Sequence, residues 1–114
     1  MSDCIFCKIV NKEIPSEILY EDDNILAFKD INPVAPVHVL VIPKKHIISV
    51  NDIIDQDVQV IGNIFVVIKK LATQLGVAES GYRVVTNTGK DGGQVVGHLH
   101  FHLIGGKELG IKIG

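Results

Sequence analysis

The sequence predicts an α+β fold: an antiparallel sheet of about five strands, one short N-terminal helix and one long central helix, with the chain pairing as a homodimer. Three observations carry this. Short runs rich in β-branched residues are separated by turn residues, as strands of an antiparallel sheet require. One segment alone keeps a helical apolar period for five turns. Near the C-terminus His98, His100 and His102 alternate with Leu99, Phe101 and Leu103, the period of a strand with one apolar face.

Each element has its own warrant. Over residues 4–12, Ile5, Phe6, Ile9 and Val10 repeat at helical spacing, and Pro15 stops the segment soon after. Residues 18–21 and 25–29 flank Asp22-Asp23-Asn24 and read as a hairpin. Residues 37–42 are almost wholly β-branched or leucine, end at Pro43 and enclose His38, which predicts a well-buried strand. Over residues 55–75, Val58, Ile61, Phe65, Ile68, Ala72 and Leu75 form the helical stripe, and Gly76 suits its C-terminal cap. Val60, Val66 and Val67 fall outside that stripe, so the helix has a second apolar surface to bury, which is the basis for expecting a dimer. Strands over 82–86 and 98–104, joined by Asn87-Thr88-Gly89-Lys90-Asp91-Gly92-Gly93, complete the sheet.

The chain has 114 residues and no repeat, linker or low-complexity tract, which predicts a single domain over residues 1–114. It is 46% hydrophobic with a mean hydropathy of +0.32, apolar enough to expect some surface to meet a partner subunit. A formal charge of -2 gives no general attraction to nucleic acid or to an anionic membrane, so phosphate chemistry must come from a local site. No apolar run approaches the roughly 18 residues of a spanning helix. Met1-Ser2-Asp3-Cys4 has neither the basic nor the apolar region of a signal peptide, and the expectation is a cytoplasmic enzyme without a nucleic-acid or membrane partner.

Three imidazoles in register make a site rather than packing, because each can accept a proton, attack an electrophile or bind metal near neutral pH. The glycines before them allow positive φ and close approach of backbone N–H groups to an anion, a signal that is weak alone. Cys4 and Cys7, the only cysteines, have a spacing open to three readings: a redox pair, a disulfide or half of a zinc site.

Gly93-Gln94, His98-x-His100-x-His102 and Gly105-Gly106 together resemble the histidine triad (HIT) family of nucleotidyl hydrolases and transferases, and the closing Gly-Gly resembles its nucleoside phosphoramidate branch. The resemblance runs from Cys4-Ile5-Phe6 through Pro43-Lys44-Lys45-His46 to Gly106. It implies a hydrolase that cleaves adenosine or guanosine 5′-phosphoramidates through a covalent nucleotidyl intermediate on His100, with His38 and His102 positioning the phosphoryl group. It implies that Ile5, Phe6, Ile9, Ile14, Phe28 and Ile31 enclose a purine, that Asp30 accepts the ribose hydroxyls, and that Asn87, Gly93, Gln94 and Val95 lie at the phosphate. The implied partner is thus a purine nucleoside monophosphate or its conjugate. Cys4, Cys7, His46 and His98 match the four ligands of a structural Zn2+ found in some bacterial relatives, with no organic cofactor. Where the family commonly has a hydroxyl residue after Gly-Gln, this chain has Val95, which puts protonation of the leaving group in question. Two other functions stay open: a dinucleoside polyphosphate hydrolase, and a nucleotide-binding protein with little catalysis.

Overall fold

The computed structural model describes residues 3–113, so Met1, Ser2 and Gly114, which enter the N-terminal and C-terminal readings above, lie outside the described residues. Among the described residues the order is α1 (Ile5–Val10), β1 (Ile18–Glu21), β2 (Ile25–Lys29), β3 (Val37–Pro43), α2 (Val58–Gln74), β4 (Tyr82–Val85) and β5 (Phe101–Gly105). The strands form one antiparallel sheet in the order β1-β2-β3-β5-β4.

Alternation sorts the side chains into two layers. Ile25, Ala27, Val39, Val41, Phe101 and Leu103 face α2 and pack with Ile64, Val67, Ile68, Leu71 and Ala72. On the opposite face Leu26, Phe28, Leu40 and Ile42 receive Phe6 and Ile9 from α1. The central strand β3 is buried on both sides beyond Val37, as its dense β-branched run around His38 predicts. The β1–β2 turn closes where Asp22 Oδ1 accepts the N–H groups of Asn24 and Ile25, at 2.7 and 2.8 Å.

Three expectations need correction. The strand read over 98–104 begins only at Phe101, because the preceding amides bond elsewhere: His98 N–H donates to the Val96 carbonyl and Leu99 N–H to that of Ile47. The helix read over 55–75 opens with a 3-10 turn, Asp55–Asp57, before α2 begins at Val58. The buried stripe of α2 is Ile64, Val67, Ile68, Leu71 and Ala72, rotated by about one residue from the predicted one; Val58 and Phe65 stand 63% and 49% exposed, whereas Val67 is buried. Apolar residues lie around so much of this helix that their period does not reveal which arc meets the sheet. Gly76, at φ 77°, does follow the helix end as expected.

Candidate active site

β3 and β5 are adjacent and antiparallel, with Leu40 opposite His102 and His38 opposite Ile104. This register sets His38 and His102 as diagonal neighbours on the α1 face of the sheet. His100 lies just before β5, buried, with its ring 5.0 Å from that of His102 and edge-on to Phe6 at 5.1 Å.

Fixed backbone groups dictate which nitrogen of each ring carries a proton. Val34 N–H donates to Nδ1 of His38 at 3.1 Å, so neutral His38 holds its proton on Nε2. That Nε2–H faces Nδ1 of His102 at 2.9 Å, which must accept, and the remaining proton of His102 sits on its outward Nε2. Nδ1–H of His100 donates to the His98 carbonyl at 2.7 Å, so the neutral ring of His100 carries its lone pair on Nε2. Burial, and then the imidazoles of His100 and His38, push the pKa of His102 down to about 4 against the opposing pull of Asp30, so the neutral ring persists at physiological pH. The arrangement offers a bare nucleophilic nitrogen beside an N–H donor.

Asp30 lies close by, its Oδ2 3.4 Å from Nε2 of His38 and its Oδ1 accepting the Asn32 amide. Of the residues proposed to hold a base, Phe6, Ile9 and Phe28 cluster in the α1 layer with Ile14 packed against them, while Ile5 and Ile31 point outward at 46% and 86% exposure. The glycine loop is braced from within. Asn87 donates to the Gly92 carbonyl, and the amides of Gly93 and Gln94 donate to Lys90 and Gly89. The Gln94 side chain is itself spent on the protein: Oε1 accepts Gly89 N–H, and Nε2 donates to the carbonyls of Ile48 and Val96. A Cβ at Gly92 would overlap the Thr88 carbonyl oxygen, which explains glycine there. Val95 projects into solvent, 91% exposed.

The second cluster lies at the start of α1. Cys4 caps that helix and its Sγ is 3.3 Å from Nδ1 of His98; Cys7 Sγ is 3.2 Å from Nδ1 of His46 and 3.6 Å from Nδ1 of His98. Tetrahedral zinc, with bonds near 2.3 Å to sulfur and near 2.0 Å to nitrogen, spaces S and N donors about 3.5 Å apart. The four residues therefore fit such an ion, all their donor atoms lying within 4.8 Å of one another. Nε2–H of His98 donates to the Pro43 carbonyl at 2.8 Å, which keeps the Nδ1 lone pair free for a metal, and burial lowers the pKa of this ring. Asp30, His38 and His102 also lie within 4.8 Å of one another, but the Val34 amide commits the proton of His38 to Nε2, the atom that would have to bind.

Sequence reasoning found these side chains and missed the backbone groups that orient them: Val34 N–H and the carbonyls of Pro43, Ile48 and His98. Side-chain patterns carry no signal for such partners.

Residues 11–109 match the HIT domain family. The purine nucleoside phosphoramidase of Escherichia coli (strain K12) is 49% identical over 108 residues, covering 95% of this chain and 91% of that protein. A histidine triad protein from Clostridium difficile superimposes with a TM-score of 0.94 at 53% identity, covering 99% of this chain and 98% of that one. A HIT family hydrolase from Legionella pneumophila does so with a TM-score of 0.92 at 51% identity, covering 95% and 96%. With its family match spanning most of the chain and close relatives aligned nearly end to end, the protein belongs to the HIT domain family.

Proposed function

We propose that the whole chain acts as one HIT domain that hydrolyses purine nucleoside 5′-phosphoramidates through a nucleotidyl-His100 intermediate. The observation that carries this is the bond from His100 Nδ1–H to the His98 carbonyl, which in the neutral ring leaves the lone pair on Nε2, beside the ring of His102. In the first step the Nε2 lone pair forms a bond to phosphorus as the P–N bond to the amine breaks, and the amine leaves with a proton taken from solvent, which the attacking water of the second step gives back. His100, briefly an imidazolium, keeps Nδ1–H on the carbonyl, which stabilises the positive ring. Water then attacks phosphorus, the Nε2–P bond breaks, and the nucleoside monophosphate departs. Nε2–H of His102 can donate to the phosphoryl oxygens throughout. Asp30 is read as the ribose acceptor, and Phe6, Ile9 and Phe28 as the base-facing wall. Brief exposure to an adenosine phosphoramidate should add a nucleotidyl mass at His100. His100→Ala should abolish turnover while nucleoside monophosphate binding stays nearly intact, and substantial residual turnover would sink the mechanism.

The Cys4, Cys7, His46 and His98 set is read as a structural Zn2+ site, because four donors leave no position for water. Bound there, zinc would tie α1 to the segment before β5. Protein purified without chelator should contain about one zinc per chain; a metal-free preparation with an unchanged melting temperature would reject the site.

A homodimer completes the reading. Val58, Phe65 and Val66 leave apolar surface on α2, and β4 is an edge strand with Tyr82 and Val84 each 37% exposed. Light scattering at low micromolar concentration should give the dimer mass, and a monomer would count against it.

A further inference from the structure

The carbonyl that orients His100 belongs to His98, a residue outside the β5 ladder, which starts at Phe101. Its peptide is therefore not held by sheet pairing. The side chain of His98 anchors it instead, with Nδ1 3.3 Å from Cys4 Sγ and 3.6 Å from Cys7 Sγ, and with Nε2–H on the Pro43 carbonyl. The N–H of the same peptide unit, that of Leu99, donates to the carbonyl of Ile47, the neighbour of His46, so this second tie also leads to the ligand segment. The other wall of His100 hangs on the same cluster. Cys4 caps α1, and Phe6, two residues on, sets its ring edge-on against both His98 and His100, at 5.9 and 5.1 Å.

We propose that the Cys4, Cys7, His46 and His98 centre sets the orientation and tautomer of His100, so that metal occupancy governs the chemical step more than nucleotide affinity. His98 is then a positioning residue, acting through its carbonyl. The proposal rests on the reading of His100 as nucleophile, but its structural part is measurable without turnover. Metal loss frees the His98 side chain on its sulfur side and loosens its peptide. The acceptor for His100 Nδ1–H then wanders, and the proton divides between Nδ1 and Nε2, which removes the lone pair from part of the population. Leu26, Phe28, Leu40 and Ile42 hold Ile9 and the rest of the α1 layer from the sheet side, so the Ile9 and Phe28 part of the base-facing wall is less affected.

The test compares zinc-loaded protein, chelator-treated protein and His46→Gln, a surface ligand whose loss opens no core. Side-chain nitrogen NMR of His100 should show a fixed Nδ1–H tautomer in the loaded form and an averaged pattern in both metal-poor forms. The affinity for adenosine monophosphate should change by less than about threefold while kcat falls about tenfold or more, the scale of loss expected from a misplaced reacting group. An unchanged His100 nitrogen pattern in folded, metal-free protein would overturn the proposal. If both metal-poor forms unfold, exchange of zinc for the larger Cd2+ in the folded protein decides: the His100 nitrogens should shift more than those of His38, and an unmoved His100 overturns it equally. Loaded protein with a fixed His100 tautomer but no phosphoramidate turnover would instead refute the enzymatic reading and leave the positioning role standing.

Discussion

His38 donates its Nε2–H to Nδ1 of His102 across 2.9 Å, so a ring on β3 determines which nitrogen of a ring on β5 can act as a donor. The direction of that bond follows from the Val34 amide at the far side of His38. One backbone hydrogen thus selects the protonation pattern of two imidazoles.

Acid should weaken the fold through His102. Its pKa is about 4 in the folded chain, held down first by burial and then by the neighbouring imidazoles, against an ordinary value of 6.5. Between those values the unfolded chain binds the proton and the folded chain does not, so stability present above pH 6.5 is lost as the pH falls toward 4. The urea midpoint of His102→Gln should decline less steeply than that of the parent across this window. Parallel slopes would remove His102 as the cause.

Gln94 should behave as a brace. Its amide makes three bonds, to Gly89, Ile48 and Val96, at 2.7 to 3.0 Å. Gln94→Ala should cost about 1–3 kcal/mol, since neutral hydrogen bonds contribute roughly 1 kcal/mol each. Exchange of the Gly89 amide should accelerate. If that amide exchanges as slowly in the variant, the loop is held by other contacts.

Val95 tests proton delivery to the departing amine. At 91% exposure it packs against little, so Val95→Ser should leave stability nearly unchanged. A hydroxyl at the leaving group should raise turnover several-fold for the most basic amines, about what one neutral hydrogen bond of roughly 1 kcal/mol provides. The measurement is the ratio of rates for a basic and an acidic leaving group in both proteins. An unchanged ratio assigns the proton to a backbone group or to His102.

The fold was legible where local chemistry and tertiary context agree. The Asp22 turn, the apolar run of β3 and Gly76 after α2 each specify their own conformation, and β1, β2 and β3 fall where expected. The phase of α2 was not legible, because Val58, Phe65 and Val66 are as apolar as the buried residues and only the sheet decides among them. The histidines were found as a set, and their alternation survives as a division between layers: Leu99, Phe101 and Leu103 lie in the α2-side core, and the rings of His98 and His100 lie against Phe6 of α1. Their division of labour depends on backbone partners 2 to 55 positions away in sequence: the His98 carbonyl for His100, Val34 for His38 and Pro43 for His98. No residue pattern encodes those.

The Val34 amide has a meaning for the cell as well as for the tautomers. Among the described residues two groups of side chains could hold a metal ion, and on the function proposed above one takes the ion and the other keeps its protons. The Val34 N–H occupies the Nδ1 lone pair of His38, so an ion arriving at Nε2 must displace the ring's own proton. His98 is wired in the opposite sense, with its proton parked on Pro43 and its lone pair presented to the thiols. The two groups differ in ligand type, two thiols against one carboxylate, and two peptide groups of opposite polarity push the same choice further.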